Sequence, residues 1–197
     1  MKKLGLTGGI ATGKSTACEY FTQAGAVVFD CDACVWELYQ CREVLDKVKA
    51  LFGEGAVTEE GELNRPWMRK VVFGDERKKQ KLQDLIHPMV RKECLARMAE
   101  AEHTSSASLF IADVPLLFEG GFDFGQDANL VVAVSRKTQV QRLIMRSGFD
   151  DATVHAILEA QLPISHKVKC ADVVLWNEGP KFVLKSQIER FIEDLRS

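Results

Sequence analysis

A chain of 197 residues, 46% hydrophobic and 27% charged, is long enough for one domain with a sizeable core and room for a sub-domain insertion. A net charge of −2 gives no electrostatic drive toward nucleic acid or an anionic membrane. There is no transmembrane run, and the apolar stretch behind Met1-Lys2-Lys3 is cut by Thr7, Gly8 and Gly9 and ends at Lys14, too short for a secretory h-region. The expectation is a cytoplasmic protein. The six cysteines form no regular framework; Cys31-x-x-Cys34 lacks the second Cys/His pair that a zinc site needs, and reduced structural thiols are expected.

The first element carries the chemistry. Lys3 to Thr7 is a short β-rich run, and Ala17, Cys18, Phe21 and Ala24 recur at helical spacing up to a stop at Gly25. Between them, Gly8, Gly13, Lys14 and Ser15 fit the pattern G-x-x-x-x-G-K-[S/T]. Gly8 and Gly13 let a loop curl and aim N–H groups at an anion. Lys14 opens a helix whose free N–H groups and positive dipole end favour phosphate. Its ammonium is suited to the β and γ phosphates of a nucleotide, and the Ser15 hydroxyl to Mg²⁺. A Gly-rich turn standing by chance before Lys-Ser is the competing reading, and the strand and helix on either side weigh against it.

Val27-Val28-Phe29 running into Asp30 and Asp32 reads as a buried parallel strand whose carboxyl end bears two acids. Ligands of open α/β sheets sit at that edge, so both acids are candidates to face the nucleotide loop; capping of the next helix is the alternative for each. Residues 33–103 read as helical throughout, with a Gly-rich break at Phe52-Gly53-Glu54-Gly55 and with Asn64 and Asp75 as N-caps. Pro88 is expected to kink or break the last of these helices near His87. The segment is too long for a plain crossover and reads as an acceptor-binding insertion.

Leu109 to Asp113 is a hydrophobic strand ending in acid, the form of a strand whose carboxylate helps hold Mg²⁺ beside a phosphate loop; such strands also end in Asp for other reasons. Val114 to Glu119 reads as a rigid turn ended by Gly120 and Gly121. A further strand, Leu130 to Val134, precedes a basic helix in which Arg142 and Arg146 share a face. That face is either an ordinary solvated surface or, in a lid over 136–150, a source of guanidinium groups for a transferring phosphoryl group. Asp150 caps a helix expected to run through Gln161, Val173 to Trp176 is the last strand, and Pro180 starts a terminal helix with Leu184, Ile188, Phe191, Ile192 and Leu195 on one face. The alternation predicts an α/β fold: a five-stranded parallel sheet with helices on both faces.

Two classes compete: a small-molecule kinase of the nucleoside-monophosphate-kinase type, and a nucleotide switch. A GTP switch would carry N-K-x-D after a late strand, where this chain has Trp176-Asn177-Glu178-Gly179, without the Lys or the final Asp. The switch reading is disfavoured.

The chain also resembles the dephospho-coenzyme A kinase family from end to end. The resemblance rests on Leu6-Thr7-Gly8-Gly9-Ile10 leading into Gly13-Lys14-Ser15-Thr16, on Phe29-Asp30-Cys31-Asp32, and on Gly61-Glu62-Leu63-Asn64-Arg65 with Met68-Arg69 and Val72-Phe73. His87-Pro88 with Val90, Pro115 to Glu119, Gln141-Arg142-Leu143 with Arg146, and Ala171-Asp172 with Asn177 continue it. Ala11-Thr12 stands where the family commonly has Gly-Ser, Asn64 where Asp is usual, and Ser147 where Asp is common.

The resemblance implies a P-loop NTPase fold with an acceptor insertion and an Arg-bearing lid, within one kinase domain over 1–197. It implies transfer of the ATP γ-phosphoryl group to the ribose 3′-hydroxyl of dephospho-CoA, with Mg²⁺. Gly8, Gly9, Ile10, Ala11, Thr12, Gly13, Lys14, Ser15 and Thr16 would hold ATP, with Arg142, Arg146 and Asn177, the last near the adenine. Ser15 and Asp113 would serve the metal. Asp32 is the candidate acid/base, with Lys14, Arg142 and Thr7 at the reacting phosphate. Arg65, Arg69, His87, Pro115 and Leu116 are placed on the acceptor side, salt bridging or helix packing being equal alternatives for Arg65, Arg69 and His87. A monomer or weak homo-oligomer acting on a small molecule, with no nucleic-acid or membrane partner, is expected.

Overall fold

The computed structural model describes residues 1–104 and 106–195. In chain order the elements are β1 (Lys2–Gly8), α1 (Lys14–Gln23), β2 (Val27–Asp30), α2 (Cys31–Leu38), α3 (Arg42–Phe52), a 3₁₀ turn (Glu54–Ala56), α4 (Arg65–Val72) and α5 (Glu76–Thr104). There follow β3 (Leu109–Asp113), α6 (Leu117–Gly120), β4 (Ala128–Ala133), α7 (Arg136–Ser147), α8 (Asp151–Glu159), α9 (Ile164–Lys169), β5 (Val173–Trp176) and α10 (Lys181–Asp194).

The five strands form one parallel sheet in the order β2-β3-β1-β4-β5. β1 is therefore central, with Leu6 opposite Asp113 on one side and Leu130 on the other. Strands in such a position are buried on both faces, which is why Leu4, Leu6, Phe110, Ile111 and Leu130 to Val134 read as continuous apolar runs. One face is covered by α1 and α10, whose Ala17, Phe21, Leu184, Ile188 and Ile192 pack on Leu4, Leu6, Leu109, Ile111 and Leu175. Phe21 meets Phe191 edge to face at 6.3 Å. Each such fully buried side chain contributes about 1.5–3 kcal/mol. The other face carries Phe110 between Phe29 and Phe124, and α6 approaches β1 at Gly5, where a Cβ would sit 3.1 Å from Leu117.

Contacts divide the chain into two units, one of residues 1–29 and 97–195 and one of 30–96. The second is helical, with an isolated antiparallel bridge between Val57 and Leu63. Asn64 caps α4 by accepting from Trp67 N, and Asp75 precedes α5 and accepts from Lys78 N. Within this unit Cys34 and Cys94 are buried, and desolvation pushes their thiols up to about 11 and about 12. Thiols so protonated are poor nucleophiles, and no disulfide forms among the described residues.

Three local expectations are corrected. α5 runs from Glu76 to Thr104 with Pro88 inside it, unbroken; Ile86, Val90 and Cys94 along it are buried, and that packing carries the helix past the missing N–H. Leu117–Gly120 is one helical turn, α6, ended by Gly121 at φ 58°. The helix capped by Asp150 stops at Glu159, and Gln161 lies in the connection to α9, a helix with no counterpart in the sequence reading.

Candidate active site

The loop between β1 and α1 leaves the carboxyl end of the central strand. Gly13, at φ 91°, turns the chain into α1, whose first turn has no side-chain cap. The orphan N–H groups of that turn are thus left for an anion. By contrast α2, α4, α7 and α8 are capped by the side chains of Asp30, Asn64, Ser135 and Asp150.

The loop is braced from behind. Thr12, fully buried, folds its hydroxyl onto Gly9 O at 2.8 Å. Gln139 donates to Ile10 O at 2.8 Å, and Gln161 accepts from Ile10 N at 3.1 Å. Arg142 donates to Ala11 O, Thr12 O and Asn177 O at 3.3, 3.4 and 2.8 Å. Asn177 Nδ2 donates to Thr12 O at 2.9 Å. Ala11 sits at φ 61°, the one positive φ outside glycine among the described residues. An L side chain is strained there by roughly 1–2 kcal/mol. Ala11→Gly is therefore expected to raise Tm by about 2 °C, less than the full strain because glycine also gains freedom in the unfolded chain. Thermal unfolding checks it, and a fall in Tm contradicts it.

Lys14 reaches across to the Asp113 carboxylate at the end of β3, with side-chain exposures of 19% and 10%. The loop's cation and the strand-end acid therefore share one site. A cavity of about 610 Å³ opens over the loop, lined by Gly9, Ile10, Ala11 and Gly13 to Thr16 and, on its far side, by Arg142, Met145, Arg146, Asn177, Gly179 and Lys181. Its size is that of a small-molecule pocket.

The other sequence-derived candidates have identifiable surroundings. Thr7 is fully buried and donates to Pro115 O at 3.0 Å. Asn177 is 8% exposed, lines the cavity, and donates one amide N–H to Thr12 O, bracing the loop. Arg142 is held on three backbone carbonyls; Arg146, one turn on, is exposed. Pro115 turns its carbonyl inward, and Leu116 is 43% exposed.

In the 30–96 unit, Asp30 is the N-cap of α2, accepting from Ala33 N at 2.9 Å, while Asp32 lies exposed in the first turn. Arg65 stacks its guanidinium 3.6 Å over the Trp36 ring. Arg69 follows one turn later on α4, also exposed. Burial pushes the His87 imidazole below its usual range, Asp84 opposing. His87 is then neutral near pH 7, a hydrogen-bonding group and not a fixed cation. The stability this contributes is full above pH 6.5 and is lost as pH falls through the lowered folded value.

Residues the sequence reading missed are Gln139, Gln161, Glu178, Glu119 and Lys167. Glu178 accepts from Ser135 N, Ser135 Oγ and Thr138, and these bonds hold its carboxyl below the usual range. Lys167 is fully buried. Only its place three residues after Ile164, where a helix face would ordinarily be apolar, hints at this.

A phosphate loop at the carboxyl end of the central strand, in the strand order seen here, defines a P-loop phosphotransferase fold of the small-molecule kinase class. A family model described as dephospho-CoA kinase matches residues 3–181. A Bacillus cereus dephospho-CoA kinase is 36% identical over 192 residues, 97% of this chain and 96% of that one. A Thermus thermophilus crystal structure superposes with a TM-score of 0.83 at 30% identity, covering 98% and 97% of the two chains. A dephospho-CoA kinase from Campylobacter jejuni shares the fold, with a TM-score of 0.61 at 21% identity over 98% and 96%. The chain belongs to the dephospho-CoA kinase family, ATP-dependent enzymes that phosphorylate the 3′-hydroxyl of dephospho-CoA in the final step of coenzyme A biosynthesis.

Proposed function

We propose that this chain carries out the family reaction with the loop Gly8 to Ser15 holding the ATP phosphates and Lys14 neutralising charge on the transferring group. The observation that carries this reading is that Lys14, which lines the cavity at an uncapped helix start, pairs with the strand-end acid Asp113. Mg²⁺ suits the same place: Ser15 lines the cavity, and the Asp113 carboxylate is paired with Lys14, which lines it too. Magnesium uses one or two protein oxygens together with substrate phosphates, and among the described residues no cluster of three or more acidic, His or Cys ligands competes with that arrangement. Bound there it would offset charge on the β and γ phosphates.

Arg142, fixed on the loop carbonyls, keeps the loop in one conformation, and the exposed Arg146 closes over the phosphoryl group. Excluding water at that stage suppresses hydrolysis of ATP. Met145, 86% exposed on the cavity wall, offers an apolar surface to the adenine. Dephospho-CoA is assigned to Arg65, Arg69 and His87. Asp32 accepts or orients the 3′-hydroxyl proton, a reading supported by its residue type and its place just after β2.

Asp32→Asn is expected to lower kcat by about 10²- to 10⁴-fold while ATP binding, read by calorimetry, stays the same. An unchanged kcat removes Asp32 as the acid/base group. We further place the enzyme in the cytoplasm as a monomer or weak homo-oligomer, with no nucleic-acid or membrane partner; no helix among the described residues is long and apolar enough to cross a membrane.

A further inference from the structure

Lys167 is fully buried, and the ammonium has three donors and three acceptors: Glu119 Oε1 at 2.8 Å, Pro115 O at 3.0 Å and Gly8 O at 3.2 Å. Two of these are carbonyls at the exits of neighbouring strands. In the β1–β3 ladder, Leu6 O accepts from Val114 N. A parallel ladder alternates by two residues, so the next acceptor on β1 is Gly8 O, which would take the N–H of Leu116. But β3 ends at Asp113 and the chain turns into α6. The Lys167 ammonium stands in for the missing strand and ties Gly8, the first residue of the phosphate loop, to Pro115, two residues past Asp113.

The pair is poorly suited to serve stability alone. Burying two charges costs more than a well-packed apolar pair of the same volume, and the second Glu119 oxygen is buried without a hydrogen-bond partner among the described residues. Glu119 Oε1 also accepts from Leu162 N at 3.0 Å, and Thr7 Oγ1 shares Pro115 O with Lys167. These contacts all bear on one quantity: the offset between the phosphate loop and the end of β3, across which Lys14 meets Asp113.

We propose that Lys167, seated by Glu119, is a positioning residue for phosphoryl transfer: it fixes the phosphate loop against the β3 exit, so that Lys14 and Asp113 act on the same phosphoryl group. This rests on the assignment of Lys14 and Asp113 given above. Lys167 touches no substrate and acts only through Gly8 and Pro115.

The test compares wild type, Lys167→Met and the charge-balanced double variant Lys167→Met/Glu119→Gln in ATP-dependent phosphorylation of dephospho-CoA, alongside thermal unfolding. The single variant leaves a buried carboxylate uncompensated and is expected to lose stability. The double variant relieves that and recovers Tm. If Lys167 positions the loop, kcat of the double variant stays about 10²-fold low, the cost of a displacement of about an ångström, while KM for ATP is unchanged. Should the single variant fail to fold, the double variant still decides. Recovery of kcat together with Tm overturns the proposal, as does a raised KM with unchanged kcat. Wild type without this turnover would instead refute the assignment of the reaction, an outcome read before any variant is compared.

Discussion

Lys14→Met is expected to lower kcat/KM by at least about 10²- to 10³-fold, the usual effect of removing one preorganised donor from a phosphoryl or oxyanion site. The larger end is favoured, because phosphoryl transfer gives a protein little to do beyond positioning and charge stabilisation. Lys14 does both: it starts α1 at the loop and it contacts the strand-end acid Asp113. Two effects have to be separated. Methionine keeps the stem but leaves the Asp113 carboxylate, on a side chain 10% exposed, without its counter-ion. That costs about 1–3 kcal/mol, below the range for a fully buried pair because Lys14 is partly solvated. The double variant Lys14→Met/Asp113→Asn removes the uncompensated charge, so it is expected to regain Tm and to remain inactive. Turnover returning with Tm would mean that the pair only holds the fold, and the catalytic role of Lys14 would be lost.

Gly13→Ala should be nearly as damaging, for a steric reason. The residue sits at φ 91°, and a Cβ there would lie 2.3 Å from Asn177 Nδ2. Asn177 cannot swing aside cheaply. It is 8% exposed, its amide holds Thr12 O, its carbonyl accepts from Arg142, and its N–H is bonded to Ala133 O. The backbone strain alone costs roughly 1–2 kcal/mol. The loop must then move, and a displacement of about an ångström lowers turnover by about 10²-fold. Gly25 supplies the control. At φ 89° it is as strained by alanine, but nothing lies within 4 Å of the added Cβ. Gly25→Ala should lose a similar backbone term in Tm with activity intact. Equal activity losses in both variants would show that strain, not the Asn177 brace, sets the loop.

The framework was legible because its signals are local. The loop motif fixes its own strand and helix, and Asn64, Asp75 and Asp150 announce the starts of helices through bonds to residues three positions on. Apolar runs ending in Asp30 and Asp113 mark strand ends. What was not legible depends on partners far along the chain. The bond from Thr7 to Pro115 spans 108 residues. The bond from Asn177 to Thr12 spans 165 residues. Lys167 is joined to Gly8 over 159 residues, and only its place three residues after Ile164 hinted at its burial. At Pro88 the local rule allowed a break that does not occur, because burial of Ile86, Val90 and Cys94 outweighs one lost hydrogen bond.

A phosphate loop, a strand-end carboxylate and arginines over a cavity serve several small-molecule kinases, so the acceptor is what sets this family apart. The most direct test measures Mg-ATP-dependent ADP release with dephospho-CoA beside AMP, adenosine and shikimate, and determines the site of phosphorylation in the product. Strong turnover with dephospho-CoA alone, giving a 3′-phosphorylated product, is the predicted result. Turnover with one of the rival acceptors in its place, or with none of the four, would contradict it.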